Sequence, residues 1–317
     1  MELGISSIAY ALGDRKVTND ALKSENPDWD MVAITAKTGV TARFVATQLS
    51  GLDLALAAAR QVVDEKNAPE IDCVLCVTST AEHAFPGMAC HLQHALGLGT
   101  KVFAFDINLG CSGFVYALVT LSALVESGVI TTPLLVCADT YAKFIASSDR
   151  SARPIFSDAA AAVLFRKGGG LTIVDFDFGT DGRGADDLYL PGVARQNISI
   201  VPTLHMNGAP ILMFTMSKVP ESVRLVLSKQ HLAVEDIDLF VFHQASKVVL
   251  DNLQRVLKLS DEQMYRNLEE FGNTVSCTIP ICLKQLLDAG RLHAGSLVVL
   301  SGFGVGLSWG TCLVRVG

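Results

Sequence analysis

The stretch FDINLGCSGFVYAL (residues 105–118) joins an apolar, strand-like run to a run with helical periodicity. Gly110 precedes Cys111, and Gly113 follows two residues later, so the backbone is bare on both sides of the thiol. A cysteine that only fills a core needs no such clearance, whereas one that meets a bulky reagent does. The junction therefore predicts an α/β fold and marks Cys111 as a candidate nucleophile.

Strand-like and helix-like stretches alternate along the chain on both sides of this junction. Short apolar runs predict buried strands, and apolar residues spaced by three and four predict helices. Such alternation is typical of an α/β protein whose sheets are covered by helices. The predicted strands are DCVLCVTS, VFAFDI, PLLVCAD, AAAAVLF, LFVFHQ, SLVVLSGF and GTCLVRVG, and the predicted helices span residues 52–65, 112–127, 217–229, 247–257 and 279–289.

The two halves of the chain repeat one order of features. A helix, an acidic turn, an Ile-Asp pair and an apolar strand occur in residues 52–80 and again in residues 219–246. A glycine-bearing turn followed by a helix occurs in residues 108–128 and again in residues 271–290. A repeat of this length predicts duplicated halves rather than a short-period solenoid. The predicted halves are residues 1–167 and residues 168–317, with a loop-rich connecting region over residues 167–210.

Composition and charge limit the classes of function. Half of the 317 residues are hydrophobic and 18% are charged, which suits a large buried core. The net charge of −7 and the lack of Lys/Arg clusters predict no nucleic-acid partner. We expect no secretory signal and no membrane partner, because no basic leader precedes the first apolar run and no run reaches roughly 18 residues. Eight cysteines without a signal predict reduced thiols and a cytoplasmic location.

Two groups of potential metal ligands have simpler structural explanations. Cys73 and Cys76 form a C-x-x-C pair, but they fall in a predicted strand, where an odd spacing points the thiols to opposite faces. Cys90, His91 and His94 lack a fourth ligand and lie in a helical context. We therefore expect buried structural thiols in the first case, a helix surface or interface in the second, and no bound metal.

Three polar residues, far apart in the chain, fall at equivalent strand ends and helix starts of the two halves. Cys111 opens a helix in the first half, Asn273 precedes the equivalent helix in the second, and His243 ends a buried strand. Open α/β sheets bind ligands beyond the carboxyl ends of their strands, so the repeat predicts one shared cavity. Taken singly, each residue also has a structural explanation, as core filler, a hydrogen-bonded core histidine or a turn asparagine.

The chemistry of such a trio is coherent. A helix N-terminus is expected to lower the pKa of the Cys111 thiol. The imidazole of His243 can accept the thiol proton or donate to an oxyanion, and Asn273 adds an uncharged N–H donor. Together they suit acyl transfer through a thioester, followed by carbanion chemistry at a carbonyl. The glycine-rich stretch 301–310 can bring backbone N–H groups to an oxyanion, and it lacks the Lys-Ser/Thr ending of a P-loop.

Eight motifs, spread over nearly the whole chain, occur together in one order. They are TAKTGVTARF, TSTAEHAFPGMACHLQHALGL, DINLGCSGFVYAL, SSDRSARPIFSDAAAAVLF, HMNGAPI, FVFHQAS, FGNTVSCTIP and GFGVGLSWGTCLVRV. In this order and spacing the chain resembles the ketoacyl-acyl-carrier-protein synthase III branch of the thiolase-fold condensing enzymes. The resemblance implies a five-layered αβαβα fold of two similar halves that works as a homodimer.

The resemblance also implies roles for individual residues. Cys111 matches the nucleophile that takes an acyl group from acyl-CoA. His243 and Asn273 match the pair that supports decarboxylation of a malonyl extender and stabilises the enolate. The backbone N–H groups of Cys111 and Val305 match the oxyanion hole. We expect no cofactor beyond the substrates, acyl-CoA and malonyl-acyl carrier protein.

The resemblance extends to the binding surfaces. Phe85 matches a residue that reaches across the dimer interface and lines the partner's acyl pocket. Gly110 and Gly113, on this interpretation, clear a path for an acyl-pantetheine thioester to reach the thiol. Acyl-CoA contacts are expected at Lys37, Arg150, Gly208, Phe85, Gly304 and Leu307, and contacts with the carrier protein at Lys247, Arg255 and Lys258.

Four positions at the binding surfaces depart from the family pattern. Ala33 and Lys37 stand where the family has a Trp and an Arg that sandwich the adenine of CoA, although Arg150 retains the family's second Arg. Met213 and Val248 replace a Lys and an Arg that face the carrier protein. Loss of the Trp removes a stacking surface, which would weaken CoA binding or change its pose. Loss of the two cations should weaken attraction for an acidic carrier protein.

The sequence therefore predicts a decarboxylative Claisen condensation that gives 3-ketoacyl-acyl carrier protein, in fatty-acid initiation or a specialised pathway. One alternative is transfer of the acyl group to an alcohol, amine or other acyl acceptor, which needs no enolate stabilisation by Asn273. A non-catalytic partner subunit is a second alternative, and the intact trio argues against it. Chemistry like that of HMG-CoA synthase would need a glutamate base. Glu82 is the only acidic residue in a suggestive place, and we expect it to be a loop residue at the dimer interface.

Overall fold

A computed structural model describes residues 3–192 and 202–317 of the protein. The strands of these two segments are β1 (Leu3–Leu12), β2 (Arg15–Thr18), β3 (Ala42–Val45), β4 (Cys73–Val77), β5 (Phe103–Ile107), β6 (Pro133–Asp139), β7 (Ala159–Lys167), β8 (Leu171–Thr180), β9 (Leu188–Tyr189), β10 (His205–Met206), β11 (Leu239–Phe242), β12 (Leu297–Gly304) and β13 (Ser308–Val316). The α-helices are α1 (Asn19–Glu25), α2 (Met31–Thr38), α3 (Gly51–Ala59), α4 (Met88–Ala95), α5 (Gly113–Glu126), α6 (Gly208–Lys229), α7 (Lys247–Leu257), α8 (Leu268–Phe271) and α9 (Thr278–Asp288).

Four strands of the main sheet have the same arrangement in both halves of the chain, and the first half adds β5 at its edge. In the first half the order is β5-β4-β6-β7-β1, with β4 parallel to β5 and β6 and with β7 antiparallel to β6. In the second half the order is β11-β12-β13-β8, with β11 parallel to β12 and β13 antiparallel to β12. A short antiparallel ladder between β1 and β8 joins the two parts. The turn between β7 and β8 contains the position where we divided the chain, and that domain boundary stays a prediction.

Helices cover the sheet in separate layers. One core cluster packs α5 and α9 between the strands of the two halves. A second packs α3 and α4 on the outer face of the first half, and a third packs α6 and α7 on the outer face of the second. The central helix α5 buries Phe114, Leu118 and Leu121 completely, as expected of a helix with apolar residues around its whole circumference. The predicted five-layered αβαβα arrangement is confirmed.

Most predicted elements are present, and their ends differ by a few residues. Strand β6 and helix α7 match the predicted ranges residue for residue, whereas α3 ends at Ala59 instead of residue 65. The prediction that residues 167–210 form only a loop-rich connection is wrong, because β8 lies within this region and in the interior of the sheet. Its acidic residues Asp175 and Asp177 are unusual in a strand in the interior of a sheet, and the sequence pattern therefore predicted a loop. Both acidic side chains are satisfied by helix α6, where Asp177 accepts a hydrogen bond from Ser222.

The two thiols of the C-x-x-C pair lie on opposite faces of β4, as predicted. Cys73 belongs to the core around α5 and α9, while Cys76 belongs to the core beneath α3 and α4. Both are fully buried, which confirms a structural role for this pair. Cys90 is exposed on α4. Among the described helices, none is long and apolar enough to cross a lipid bilayer.

Candidate active site

Cys111 lies in the turn between β5 and α5 and is only 6% exposed. The backbone of β12 passes against it at two glycines. A Cβ atom on Gly302 would lie 2.7 Å from the Cys111 carbonyl oxygen, and one on Gly304 would lie 3.1 Å from Cys111 Sγ. These two positions need glycine because the backbone of β12, in the second half of the chain, passes so close to Cys111 that a side chain would not fit.

The glycines beside Cys111 in the chain have a different function from the one predicted. A Cβ on Gly113 would lie 2.4 Å from a methyl group of Val77, so this glycine is required for packing α5 on β4. A Cβ on Gly110 would crowd Val305 and Val275 at 3.0 and 3.3 Å. The interpretation that Gly110 and Gly113 clear a path for a thioester is therefore wrong. Both are needed because neighbouring protein atoms occupy the space.

The backbone N–H groups of Cys111 and Val305 face the thiol and both act to lower its pKa. Val305 follows β12, so one donor comes from each half of the chain. These are the two groups that the resemblance assigns to an oxyanion hole. When an acyl group is bonded to the sulfur, two fixed backbone donors that face the sulfur also lie beside the acyl carbonyl carbon.

The Cys111 thiol is neutral in the free protein. Burial raises its pKa to about 12, and the nearby carboxylate of Asp139 raises it further, while the two backbone N–H groups act in the opposite direction. The expectation that the start of α5 lowers this pKa is wrong, because desolvation of a thiolate at this depth outweighs the donors. The thiol must therefore lose its proton to a base during the reaction.

His243 follows β11 and is 1% exposed. Its backbone N–H donates to the Ser301 carbonyl at 2.8 Å, and the edge of its ring packs against Phe303 with centroids 5.5 Å apart. Burial lowers the pKa of the imidazole to about 3, and the nearby Val275 carbonyl acts in the opposite direction. The ring is therefore neutral at physiological pH and can accept a proton.

Asn273 lies immediately beside this ring, and its contacts fix the position of the imidazole proton. Asn273 Oδ1 accepts a hydrogen bond from the Val275 N–H at 2.9 Å, so the amide nitrogen Nδ2 is the atom 3.5 Å from His243 Nε2. An amide nitrogen can only donate, so Nε2 is the acceptor and Nδ1 carries the proton. Nδ1 lies 2.8 Å from Thr278 Oγ1, whose own hydroxyl donates to the Val275 carbonyl at 3.1 Å.

The loop that carries Asn273 is anchored to the first half of the chain. The Asn273 N–H donates to the Ile155 carbonyl, and the Ser157 N–H donates to the Asn273 carbonyl, each at 2.9 Å. Val275, two residues later, has a φ of 55°, a strained backbone conformation for a β-branched residue. The observed contacts around Asn273 and His243 account for the strain, because both backbone groups of Val275 bond within this cluster.

Asp139, which the sequence did not single out, is buried at the junction of the two halves. Its carboxylate accepts hydrogen bonds from Ser79, in the first half, and from the Ser276 hydroxyl, in the second. Burial raises its pKa to about 6 against these hydrogen bonds. Tyr141 contacts the same Ser79 hydroxyl at 3.0 Å and packs in one cluster with Cys111. The signal available in the sequence was an acidic residue at the end of an otherwise apolar strand.

The three predicted catalytic residues are all buried, namely Cys111, His243 and Asn273. Most residues expected at the substrate entrance lie on the surface instead. Lys37, Arg150 and Gly208 are exposed, and Phe85 is 85% exposed. Leu307 is buried instead, against Gly184.

The expected carrier-protein contacts are also exposed. Lys247 begins α7, forms an ion pair with Asp251 and packs beside Gly39, just after the helix that carries Lys37. Arg255 and Lys258 are exposed near the other end of α7. Of the positions that depart from the family pattern, Ala33 is exposed on α2, Met213 is 74% exposed on α6 and Val248 is half-buried on α7.

Comparison with known proteins agrees with this architecture. The family model 3-oxoacyl-(acyl-carrier-protein) synthase III matches residues 105–182, and the model of its C-terminal part matches residues 227–316. A beta-ketoacyl-(acyl-carrier-protein) synthase III of Oceanobacillus iheyensis is 33% identical over 324 residues and covers 100% of both chains. The chain belongs to the 3-oxoacyl-(acyl-carrier-protein) synthase III family. It is therefore an acyltransferase with the thiolase fold.

Solved structures of this family superpose closely. The 3-oxoacyl-(acyl-carrier-protein) synthase III of Pseudomonas aeruginosa PAO1 has a TM-score of 0.92 at 33% identity, with 100% of this chain and 98% of that chain covered. A priming β-ketosynthase from the R1128 polyketide pathway has a TM-score of 0.90 at 26% identity, with 99% and 96% covered. The same fold therefore also occurs in a polyketide enzyme.

Proposed function

We propose that the protein condenses an acyl group with a malonyl-acyl carrier protein and releases carbon dioxide. Cys111 carries the acyl group, and Asn273 and His243 support formation of the enolate. One observation carries this proposal: the Val305 N–H and the loop around Val275 both converge on one buried thiol. A hydrolase or simple transferase needs the thiol and its base, but it does not need a second amide donor beside the base.

The first half-reaction follows from two neutral groups. The Cys111 thiol attacks the thioester carbon of acyl-CoA while its proton passes to His243 Nε2, the unprotonated ring nitrogen. The backbone N–H groups of Cys111 and Val305 stabilise the oxyanion of the tetrahedral intermediate. The carbon–sulfur bond to CoA then breaks, and His243 returns the proton to the departing CoA thiolate. Acyl-Cys111, free CoA thiol and neutral His243 result.

The second half-reaction uses the amide of Asn273. The carbon–carbon bond to the malonyl carboxylate breaks, carbon dioxide leaves, and the electron pair moves onto the thioester oxygen. Asn273 Nδ2 lies 3.5 Å from both His243 Nε2 and the Ala245 carbonyl. These long contacts can be exchanged for a hydrogen bond to the enolate oxygen while Asn273 Oδ1 stays bonded to Val275. The enolate carbon attacks acyl-Cys111, the carbon–sulfur bond to Cys111 breaks, and the released thiolate takes up one proton from solvent water, which restores the thiol. No cofactor is required for this sequence of bond changes.

The substrates reach the thiol, on this proposal, from the surface formed by α2, α6 and α7. Lys37 and Arg150 would bind acyl-CoA, and Lys247, Arg255 and Lys258 would attract the acidic carrier protein. Asp251 forms ion pairs with both Lys247 and Arg266 on this surface. Met213, in place of a cation, adds an exposed apolar contact. We expect weaker dependence of carrier binding on salt than in a relative with both cations.

We also propose that the protein is a homodimer in which Phe85 contacts the partner subunit. Phe85 is a large apolar side chain that is 85% exposed in the single chain. Its neighbour Glu82 accepts the Gly51 N–H at the start of α3, which is a structural role and not that of a catalytic base. Sedimentation of the wild-type protein and of a Phe85→Asp variant would test the dimer, which we expect to weaken in the variant.

Intact-protein mass spectrometry tests the reaction. The protein is incubated with a panel of acyl-CoAs and then with malonyl-acyl carrier protein, and released carbon dioxide is measured. We expect a mass gain on Cys111 that disappears as carbon dioxide is released. An adduct cleared by alcohols or amines but not by malonyl-acyl carrier protein would show acyl transfer instead. Absence of an adduct with every donor would support a non-catalytic subunit and contradict the proposal.

A further inference from the structure

A small cavity of about 60 Å³ lies between β2, α1, β3 and the segment around residues 142–156. Its lining combines apolar side chains, among them Ile145 and Phe156, with the guanidinium groups of Arg15, Arg43 and Arg153. About 10 to 15 Å³ of such volume is enough to hold one water molecule, so the cavity has room for a small anion or a few waters. The proposed reaction uses none of these three arginines.

Arg43 is the most buried of the three, with 1% of the residue exposed. Its Nη2 donates to Asn19 Oδ1, but its Nε and Nη1 have no hydrogen-bond partner among the residues that the structure describes. Buried N–H groups are almost always bonded, and those of a charged group most of all. The unused nitrogens of Arg43 therefore indicate a missing acceptor.

The one negative charge that pairs with these arginines among the described residues does not reach Arg43. No described carboxylate forms an ion pair with Arg43, and the Glu25 carboxylate pairs with Arg153. Arg153 Nε is a second buried nitrogen without a partner in the described segments. Arg15 lies on the exposed side and adds a third positive charge. Burial and the charge of Arg153 lower the pKa of Arg43 to about 10, so Arg43 is still charged at pH 7.

We propose that this cavity binds a small monovalent anion of the size of chloride or nitrate, with Arg43 and Arg153 as its donors. An ordered water could accept the hydrogen bonds, but it would leave the buried charge of Arg43 uncompensated, whereas an anion satisfies both. Water also needs roughly two to four polar partners, and most of this lining is apolar.

The cavity is directly behind the loop that carries Asn273. A Cβ on Gly272 would lie 3.4 Å from Arg43 Cβ and 2.8 Å from the Ile155 carbonyl oxygen. Ile155 and its neighbours also form the backbone hydrogen bonds that hold Asn273, and Phe156 lines the cavity between them. Anion binding would therefore stabilise the anchor of Asn273 without contacting substrate. This inference concerns a separate site and does not depend on the proposed reaction.

Diffraction from wild-type crystals grown with bromide tests the site directly. We expect an anomalous peak within hydrogen-bond distance of Arg43 Nε or Nη1, because bromide replaces chloride and scatters anomalously. Density of a water molecule at this place, without an anomalous peak, would overturn the proposal. This measurement needs no variant and remains decisive if substitution of Arg43 prevents folding.

Thermal unfolding at constant ionic strength gives a second test. Sodium gluconate, whose anion is too large for the cavity, is replaced stepwise by sodium chloride. We expect the Tm of the wild-type protein to rise by about 3 to 6 °C at a chloride concentration well above the Kd. Arg43→Gln should remove this rise, and Arg183→Gln, at an exposed arginine outside the cavity, should keep it. Equal rises in all three proteins would contradict the proposal.

Discussion

The two halves of the molecule carry equivalent elements but different chemistry. Helices α5 and α9 are both central, and each begins just after a turn at the carboxyl end of the sheet. The turn before α5 presents a buried thiol, whereas the turn before α9 presents an amide donor. The edge strand β5 of the first half is reduced in the second to one bridge between Phe240 and Met264. The same topology therefore supports a nucleophile in one half and hydrogen-bond donors in the other.

Burial shifts the pKa values of the catalytic thiol and the catalytic imidazole, one in each half, in opposite directions. It raises the pKa of the Cys111 thiol and lowers that of the His243 imidazole, so both are neutral before reaction. A thiolate–imidazolium pair is thus not preformed, and the proton moves when the thioester is attacked. The site is therefore prepared by position and hydrogen bonding, and not by a lowered thiol pKa.

Removing the thiol of the first half has the largest expected effect. Cys111→Ala should lower the rate of condensation by more than about 10³-fold, because no acyl-enzyme forms. Loss of the acyl adduct in the intact mass spectrum checks this. Cys90→Ala, which removes an exposed thiol on α4, is the control and should retain the adduct. An adduct of normal yield in Cys111→Ala would assign the nucleophile to another residue.

Removing the amide of the second half should separate the two half-reactions. We expect Asn273→Ala to lower carbon dioxide release and condensation by about 10² to 10³-fold, because the enolate oxygen loses a donor. Acylation of Cys111 should change by less than tenfold, since its oxyanion is held by backbone N–H groups. Burst kinetics with acyl-CoA measure acylation, and release of labelled carbon dioxide measures decarboxylation. A parallel loss of both rates would show that the division of chemistry between the halves is wrong.

A smaller effect is expected from the hydroxyl that positions the imidazole. Thr278→Val removes the acceptor of the His243 Nδ1 proton, and we expect about a tenfold loss in kcat with little change in KM. Thr278→Ser keeps the hydroxyl and should keep most of the activity. Nitrogen-15 NMR of the histidine reports the tautomer directly, which should be Nδ1–H in the wild type and mixed in Thr278→Val. Unchanged spectra and kcat in Thr278→Val would leave Thr278 as a packing residue.

The smallest effect on the reaction is expected from Asp139, which joins the halves. Its negative charge raises the pKa of Cys111, so Asp139→Asn should speed alkylation of the thiol by iodoacetamide at pH 8 by about threefold to tenfold. Asp158→Asn is the control, because Asp158 is a similarly buried carboxyl group that does not contribute to the Cys111 pKa. Equal alkylation rates in wild type and Asp139→Asn would show that this charge does not reach the thiol.

The same substitution changes how stability depends on pH. Folding raises the pKa of Asp139 from 3.8 to about 6, so the native state binds this proton more tightly than the unfolded state. The resulting stabilisation is complete below pH 3.8 and is lost as the pH rises through about 6. Two pKa units correspond to about 3 kcal/mol in the free energy of unfolding. Urea unfolding from pH 4 to pH 7 should therefore show a shallower decline for Asp139→Asn than for the wild type.

Local features of the sequence determined the elements and the candidate residues. Unbroken apolar runs such as PLLVCAD and the regular apolar spacing of residues 247–257 specify a strand and a helix through burial alone, and both occur as predicted. Repetition of the pattern indicated two similar halves. Motif order indicated the family and selected Cys111, His243 and Asn273.

Only the tertiary structure decided the electrostatics and the supporting contacts. The sequence could not show that burial raises the pKa of Cys111 by more than the start of α5 lowers it. The burial of Cys111 depends on β12, which lies about 190 residues further along the chain. It could not show that Thr278 and Val275 set the tautomer of His243, or that Arg43 lacks partners. Hydrogen bonding, burial and the resulting pKa shifts depend on all the residues that surround a group in space, whatever their distance along the chain. Those neighbours are brought together only when both halves of the chain have folded.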